Sequence, residues 1–471
     1  MATIAEALAD FAVSDALRRN KSLALAMRVY ALDTLAVTLA GVVAPSSQAV
    51  ARTLLAACGK PEATVMGVGR VTSAWDAALA NGAFAHALEL DDDHRVAVLH
   101  PGAVVAPAAL AAAEAENASG LTFLRAMFVG YEVMCRLGEV FRGSQFHHGV
   151  HPTALCGVFG AAAAASVAMD LDRDAFVRAL GVAGTQACGL TEWRADGSWI
   201  KRLHPGRAAH SGVLAARLAR EGFTGPATIF EGDGGFFRAF SYGEPIDPDC
   251  MTRALGEEHH AFGTAIKPYP CCRFEHGAID LAIAANENGV AADDIEAVNI
   301  RIYSTGVLSY HQQPRSVVDA QFNVPYAIAV ALLRGRIGLA DFTDEAIRDP
   351  RTHALSRRIQ VREDPDFSAR YPDEYRVELA LVLKNGDVRS SFSDCPSGDP
   401  AAARYQGRPD LLAREVDSKV ASLLAEVGFG DRADRLKDCV ATLADAPRLH
   451  ELSSLFAKDF RDEASPRRSR A

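Results

Sequence analysis

The chain of 471 residues is too long for one compact core, so we predict at least two domains. Hydrophobic residues make up 49% of it and charged residues 23%, which is typical of a globular protein and excludes a disordered one. The formal net charge of −10 argues against a nucleic-acid partner, although a few buried cations could still hold a small anionic substrate.

The first half of the chain has helical periodicity almost throughout. No strand alternation is convincing there, and the Ala- and Gly-rich run 152–169 is interpreted as a buried helix because it lacks the Leu, Ile and Phe of a membrane span. We therefore predict no membrane association. Predicted helices cover residues 22–42, 74–90, 102–117, 121–141, 172–187 and 208–223.

The N-terminus and the cysteines predict a cytoplasmic protein. No basic region precedes an apolar stretch at the start, so we expect no secretory signal. Nine cysteines are scattered without C-x-x-C spacing, which indicates reduced thiols and argues against an iron–sulfur cluster.

The pattern changes after "KPYPCC" (267–272), where two prolines break any helix. Residues 296–304 alternate as a half-buried strand, and 375–393 reads as a hairpin around Asn385-Gly386. Helices are expected among these strands, and helical patterning returns at 408–459. We predict a mainly α protein: an all-helical domain, 1–265, completed by C-terminal helices within 405–460; a smaller α+β domain, 266–404; and a frayed tail, 461–471. The helices expected inside the α+β domain are 275–287, 324–335 and 341–348.

Five short patches could carry chemistry. "ELDDDHRVAVLHPG" (89–102) could be a solvated acidic turn, a metal site or an acid–base site. His147, His148 and His151 could share a helical face, but no carboxylate at a fixed offset supports a zinc site. The other three patches are a basic loop at 194–212, the segment 265–277 and a helix start at 320–333.

Cations dominate two of these patches. The loop 194–212 could be a solvated helix N-terminus or an anion site. Cations at a helix N-terminus oppose the helix dipole, and a bound anion would offset this effect. Tyr326, in the patch 320–333, could belong to the site or could be an aromatic residue of the hydrophobic core. The cationic candidates are Lys201, Arg202, His204, Arg207 and His210 in the loop, and Lys267, Arg273 and His276 in the segment 265–277.

The five patches, in this order, resemble the MmgE/PrpD family of 2-methylcitrate dehydratases, cis-aconitate decarboxylases and iminodisuccinate epimerases. The matching stretches are "HALELDDDH…LHPGA", "GVHPTALCGVFGAAAAAS", "DGSWIKRLHPGRAAHSGVLAARLAREGFTGP", "FEGDGGFF", "IKPYPCC" and "PYAIAVALL", and the similarity spans residues 5 to 450. The resemblance implies a helical domain with an inserted α+β domain, a cleft between them, a homodimer, and no metal, flavin or nicotinamide cofactor.

The family's site residues are carried over one by one. Its catalytic positions fall on Asp91, Asp92, His100, His151, Lys201, Lys267 and Tyr326. We predict substrate binding by Asp93, Arg202, His204, Arg207, Cys272, Arg273 and His276.

The chain departs from the family's pattern at four places. Asp93 stands where a Thr is frequent, and Glu89 where an Asp is frequent. Cys272 replaces a position that resembles a histidine in cis-aconitate decarboxylases, and "LHPGA" differs from the "GHPSD" type of true 2-methylcitrate dehydratases.

The predicted function is a cofactor-independent proton transfer at the carbon next to a carboxylate of a small di- or tricarboxylate. The cations would stabilise the enediolate, His100 or His151 would be the base, and an aspartate would fix the imidazole tautomer. A dehydratase also needs an acid, for which Tyr326 or the second histidine could serve. The preferred hypothesis is a dehydratase-type lyase. The alternatives are an epimerase of an iminodisuccinate-like substrate and a non-catalytic relative. We expect His100→Ala and Lys201→Ala to cut turnover strongly with little effect on folding.

Overall fold

A computed structural model describes residues 2–57, 59–307 and 313–456. Within them the mainly α class predicted from the sequence is confirmed. The helices are α1 (Ile4–Val13), α2 (Asp15–Arg19), α3 (Lys21–Ala26), α4 (Arg28–Gly41), α5 (Pro45–Leu55), α6 (Ala74–Ala85), α7 (Gly102–Ala115), α8 (Gly120–Phe141), α9 (Ser144–His147), α10 (Pro152–Ala168), α11 (Arg173–Gly184), α12 (Ile200–Arg220), α13 (Phe236–Phe240), α14 (His276–Glu287), α15 (Val317–Ala320), α16 (Val324–Arg334), α17 (Pro350–Ser356), α18 (Pro365–Ser368), α19 (Pro409–Glu426), α20 (Ala433–Thr442) and α21 (His450–Phe456).

Eight strands accompany these helices. They form two short two-stranded pairs and one four-stranded sheet. The strands are β1 (Ala63–Val65), β2 (Arg70–Thr72), β3 (Asp93–His94), β4 (Thr264–Ala265), β5 (Ile295–Ile302), β6 (Ile359–Glu363), β7 (Val377–Leu383) and β8 (Val388–Ser393).

The N-terminal half is not all-helical, which corrects the sequence prediction. β1 and β2 pair antiparallel around a turn in which Gly67 and Gly69 have positive φ angles of 72° and 70°. Each strand has only three residues, too few for an alternating pattern to be visible in the sequence. The predicted helix 22–42 is also divided, because α3 ends at Ala26 and α4 begins at Arg28.

Four helices, α6, α7, α10 and α12, pack together at the centre of the larger hydrophobic core. Small residues allow the close approach of α6 and α12: a Cβ atom on Gly206 would lie 2.2 Å from the carbonyl oxygen of Leu79. The C-terminal helices α19 to α21 contribute to the same core through residues such as Val420 and Leu436. This arrangement brings the N-terminal ends of α10 and α12 to one side of the core.

A second hydrophobic core surrounds the four-stranded sheet, whose strand order is β6-β5-β7-β8. β5 pairs parallel with β6 and antiparallel with β7, and the buried residues of β7 alternate as the sequence predicted. The predicted helix 341–348 is wrong: two 3-10 turns, Leu339–Asp341 and Ala346–Arg348, stand there, and α17 begins only at Pro350. Proline fits the first turn of a helix, which explains this later start. The two domain boundaries proposed from the sequence stay predictions.

One stretch of the described chain, Lys21–Gly41, is long and apolar enough to cross a membrane by length and composition alone. Seventy-two per cent of its most apolar window is buried inside the fold, and core helices and signal sequences both meet the same criterion. The stretch is therefore weak evidence for a membrane span.

Candidate active site

A cavity of about 330 Å³ lies between the two hydrophobic cores. The helical core contributes the segment after α6, the turns before α7 and α10, and the first turn of α12. The segment between β4 and α14 closes the opposite side. Seven predicted site residues line it: Asp93, His100, His151, Lys201, Lys267, Cys272 and Arg273.

The turn before α7 holds His100 with one ring nitrogen fixed and the other free. The Nδ1 atom lies 2.8 Å from the main-chain carbonyl oxygen of Asp92, and a carbonyl can only accept a hydrogen bond. Nδ1 must therefore carry the proton, which leaves the Nε2 lone pair of the neutral imidazole toward the cavity. Burial lowers the pKa of His100 well below its usual value, although Asp91 opposes the shift. His100 is thus arranged as a neutral base.

Asp92 builds this turn rather than contacting the substrate. Its carboxyl group accepts hydrogen bonds from the Gly102 main-chain N–H at 2.8 Å and from the Tyr131 hydroxyl at 2.7 Å. Burial raises its pKa well above the usual value, and Asp33 and Asp91 add to the increase. Glycine is required at position 102, where a Cβ atom would lie 2.7 Å from Asp92 Oδ1. The sequence left the orienting contact open between Asp91 and Asp92, and in the structure the main-chain carbonyl of Asp92 contacts His100 Nδ1.

Asp91 is paired with His86, a residue that sequence reasoning missed. His86 Nδ1 lies 2.7 Å from Asp91 Oδ2, and both side chains are fully buried. The same oxygen is 3.5 Å from His100 Nδ1. Burial alone would raise the pKa of Asp91, but the His86 and His100 imidazoles lower it below the usual range. The His86 ring packs edge-on against His100 and stacks on His151, with centroids 4.8 and 5.8 Å apart, and so supports both cavity histidines.

His151 precedes Pro152 at the start of α10 and meets His204 from the first turns of α12. Their Nδ1 atoms are 3.0 Å apart, so one of the two imidazoles donates and the other accepts. Burial lowers the pKa of His151 well below its usual value and that of His204 to about 4. Both rings are therefore neutral near pH 7, and His204 acts behind His151 rather than in the cavity. His147 and His148 do not join them, since His148 stacks on Tyr242 near the surface.

Two buried lysines share one carboxylate. Lys201 Nζ contacts Glu89 Oε1 directly, while Lys267 Nζ lies 3.6 Å from Glu89 Oε2 and donates to the Glu89 carbonyl at 3.2 Å. Burial would raise the pKa of Glu89, but the two lysines lower it below the usual range. Burial would likewise lower the pKa of Lys267, but Glu89 and Asp91 raise it. The two ammonium groups and the carboxylate carry one net positive charge, which can attract an anion.

Asp93 and Arg273 complete the polar wall. Asp93 Oδ2 lies 3.7 Å from His100 Nε2, and burial raises the pKa of Asp93 to about 6 despite Lys267 and Arg273 nearby. Arg273 is 2% exposed, donates to the Ser397 carbonyl at 3.0 Å and lies 3.4 Å from Asp399. Cys272 is the last of the seven predicted site residues that line the cavity. Burial raises the pKa of its thiol, so the thiol is neutral.

Besides Asp91, Asp92 and His204, four more predicted site residues lie outside the cavity. Tyr326 belongs to the second hydrophobic core and donates to the Asp341 carbonyl, so its expected role as the acid is not supported by its position. Arg207 is exposed and lies 3.1 Å from His210. The other two lie behind the cavity wall: Arg202 contacts Ser46 and Gln321, and His276 contacts Arg273 and the Cys271 carbonyl.

Two groups of described residues bring possible metal ligands together: His86, Asp91 and His100, and Glu139, Cys250 and His260. In the first group His86 Nδ1 is hydrogen-bonded to Asp91, and His100 Nδ1 to a carbonyl. These ring nitrogens carry protons, whereas a metal ligand must be unprotonated. In the second group His260 Nδ1 lies 2.9 Å from Glu139 Oε1, which is ordinary ion-pair geometry. The sequence prediction of no metal stays a prediction.

Sequence reasoning also missed the aromatic part of the cavity. Lys201 Nζ lies 5.7 Å from the centroid of the Trp193 ring and 5.3 Å from that of the Phe322 ring, within the range of a cation–π contact. Arg194 stacks over Phe146 at 5.1 Å. Arg194 and Phe322 belong to the patches 194–212 and 320–333 and Trp193 precedes the first of them, but none of the three was singled out.

Comparison with known proteins gives matches along most of the chain. The family model described as MmgE/PrpD N-terminal domain matches residues 6–249, and the one described as MmgE/PrpD C-terminal domain matches residues 269–445. A cis-aconitate decarboxylase of Aspergillus terreus is 29% identical over 94% of this chain and 91% of its own. That of Mus musculus is 27% identical over 83% of this chain and 80% of its own. A 2-methylcitrate dehydratase of Salmonella typhimurium is 26% identical over 56% of this chain and 58% of its own.

Proposed function

This chain belongs to the MmgE/PrpD family, and we propose that it is a lyase that acts on a small di- or tricarboxylate. Its relatives are named for loss of carbon dioxide from cis-aconitate and of water from 2-methylcitrate. Both names describe lyases, so the enzyme class is supported by the comparisons. The proposed step is proton transfer at the carbon next to a carboxylate.

One observation carries this proposal: two buried lysines, the buried Arg273 and two neutral histidines face the same cavity. A C–H bond next to a carboxylate is a very weak acid, so its removal requires fixed positive charge where the enediolate forms. Lys201, Lys267 and Arg273 supply that charge without reorganisation, because each is already held by a protein partner. We propose that they bind the substrate carboxylates.

We propose that His100 is the base that removes the proton. Its Nδ1–H is held by a carbonyl, and its Nε2 lone pair faces the cavity next to Lys267 and Asp93. A base must be unprotonated before the step, which agrees with the lowered pKa of the buried ring. His151 faces the same cavity and could contact the substrate from a second side.

We propose that no metal or organic cofactor takes part. The side chains supply a base and three cations, which meet the needs of enediolate formation. Dialysis against EDTA tests this directly. We expect unchanged turnover after EDTA, and a loss restored by added Mg²⁺ or Zn²⁺ would contradict the proposal.

We also propose a cytoplasmic homodimer. Trp199 and Ile200 are 50% and 46% exposed at the start of α12, beside an apolar groove that also contains Val50 and Leu203. Exposed aromatic and aliphatic side chains of this kind are typical of subunit interfaces. Sedimentation should give twice the 50.2 kDa chain mass, and Trp199→Asp should shift it toward the monomer. A monomeric wild-type protein would contradict the assembly.

The test of the function is a direct assay of lyase products. Purified enzyme is incubated with 2-methylcitrate, citrate, malate and cis-aconitate, and the alkene and carbon dioxide are measured. We expect loss of water or carbon dioxide from at least one acid, and loss of that activity in His100→Gln. If none of the acids reacts, or if His100→Gln keeps the wild-type rate, the proposal is wrong.

A further inference from the structure

A dehydration needs a proton donor as well as a base. Hydroxide is a poor leaving group, so the C–O bond breaks readily only when the departing oxygen receives a proton. The tyrosine expected from the sequence to provide it, Tyr326, donates to the Asp341 carbonyl in the second core. A donor for the leaving group must therefore come from the cavity wall itself.

Asp93 has the position that such a donor requires. It lies on β3, where pairing with Ala265 of β4 fixes its backbone, and its side chain lines the cavity while the residue is 5% exposed. Oδ2 lies 3.7 Å from His100 Nε2, and Oδ1 has no hydrogen-bond partner among the described residues. A buried carboxyl oxygen without a partner is costly unless a ligand contacts it.

The nearness of His100 favours a protonated Asp93 carboxyl group, although the 3.7 Å between His100 Nε2 and Asp93 Oδ2 is too long for a hydrogen bond. His100 Nδ1 already carries a proton for the Asp92 carbonyl, so Nε2 presents a lone pair toward Asp93. A lone pair and a carboxylate would repel each other at this distance, and protonation of Asp93 reduces the repulsion. The other ionisable or charged groups close to Asp93 are Asp91, Lys267, Arg273, Tyr371 and Asp399. Burial outweighs these cations and raises the pKa of Asp93 to about 6, so part of the population is protonated near neutrality.

We propose that Asp93 is the general acid that protonates the departing hydroxyl group of a 2- or 3-hydroxy di- or tricarboxylate. The inference rests on the proposed lyase function and narrows it to dehydration. A decarboxylation expels no hydroxide, so it needs no proton donor for a departing oxygen.

The step balances as follows. His100 Nε2 takes the proton from the carbon next to the carboxylate, and the C–H electron pair becomes the new C=C bond. The C–O bond to the hydroxyl group breaks, its electron pair goes to the oxygen, and the Asp93 carboxyl proton joins it to form water. The protonated His100 then returns its proton to the Asp93 carboxylate 3.7 Å away, which restores both groups.

The test compares a leaving group that needs a proton with one that does not. Wild-type enzyme and Asp93→Asn are each given 2-methylcitrate, citrate and malate, and the analogues in which fluoride replaces the hydroxyl group. Fluoride departs as a weak base and gains little from an acid. We expect Asp93→Asn to lower turnover of the hydroxy acids by roughly 100-fold or more, as loss of a general acid does, and that of the fluoro analogues by less than about 5-fold.

Three results would overturn the inference. Equal losses on both leaving groups would make Asp93 a structural or binding residue, and an unchanged rate on the hydroxy acids would remove its role. If wild-type enzyme releases carbon dioxide from cis-aconitate but dehydrates no hydroxy acid, the lyase proposal stands and the role of Asp93 as general acid is refuted. Exchange of the substrate α-hydrogen in D2O is measured in parallel with wild-type enzyme. The absence of both this exchange and any loss of water or carbon dioxide, with every acid, would refute the proposed function itself.

Discussion

Glu89 is the shared counter-ion of two buried lysines, and its removal gives a sharp test of the site's electrostatics. The perturbation is Glu89→Gln, which keeps the size of the side chain and removes its charge. Lys201 and Lys267 then lose the carboxylate that both of them contact. The comparison variant, Lys201→Met, removes one ammonium group and leaves Glu89 with Lys267 at 3.6 Å.

The structure predicts which of the two substitutions lowers the free energy of unfolding more. Removal of one partner from a buried ion pair costs about 3–5 kcal/mol of unfolding free energy, because the other charge stays buried without compensation. Glu89→Gln removes the carboxylate partner of Lys201 and leaves Lys267 with only Asp91 and Asp93 as nearby acids, so we expect a loss near 5 kcal/mol, the upper end of that range. Lys201→Met leaves Glu89 with a second cation, so we expect a loss near 3 kcal/mol, the lower end.

Urea unfolding at pH 7, followed by tryptophan fluorescence, measures both losses. Malonate is then added as a simple dicarboxylate, because its charge can replace that of Glu89 between the lysines. A ligand at 100 times its Kd adds about 2.7 kcal/mol, and we expect malonate to stabilise Glu89→Gln more than wild type. Glu221→Gln, on an exposed side chain beside Arg220, is the matched control and should leave the unfolding midpoint unchanged. A larger loss in Lys201→Met than in Glu89→Gln, or no added effect of malonate, would refute this reasoning.

Three further predictions concern separate parts of the protein. Burial raises the pKa of Asp93 from 3.8 to about 6, so the folded state binds this proton more tightly than the unfolded state. The stabilisation that the proton gives the folded state is fully present below pH 4 and is lost as the pH rises through 6. Asp93→Asn should therefore gain about 3 kcal/mol relative to wild type between pH 4 and 7 in urea unfolding, and a constant difference across that range would contradict the shift. His100→Gln should reduce kcat by about 10²–10⁴-fold with an unchanged circular dichroism spectrum, and a smaller loss would exclude it as the base. Gly206→Ala should destabilise the fold by about 1–3 kcal/mol because its Cβ atom would lie 2.2 Å from the Leu79 carbonyl, whereas Gly234→Ala, with open space around it, should have no effect on the melting temperature.

Local patterns in the sequence predicted the turns of the site well. A histidine followed by proline marks the start of both α7 and α10, and His100 and His151 face one cavity as expected from those turns. Lys201 and Lys267 were identified as cations at element boundaries, where binding residues concentrate, and they meet across the same cavity.

Partners that are distant in the sequence could not be predicted in the same way. His86 ends the apolar helix α6, and only the fold shows that Asp91 turns back to it. Lys201→Ala was expected to have little effect on folding, but the buried pair of Lys201 with Glu89, 112 residues away, predicts a loss of stability. Tyr326 follows a good helix start in the sequence, and its hydroxyl group is nevertheless directed to a carbonyl of the second core.

The central claim is that the cavity performs proton transfer next to a carboxylate and then expels a group. The most direct measurement is an NMR time course of the wild-type enzyme with each candidate acid in D2O, with mass spectrometry of the products. The account predicts an alkene product with the mass of water or carbon dioxide lost, and no such product with His100→Gln. Deuterium at the α-carbon with no mass lost would contradict it and identify an epimerase, and the absence of both changes would refute proton transfer at this site.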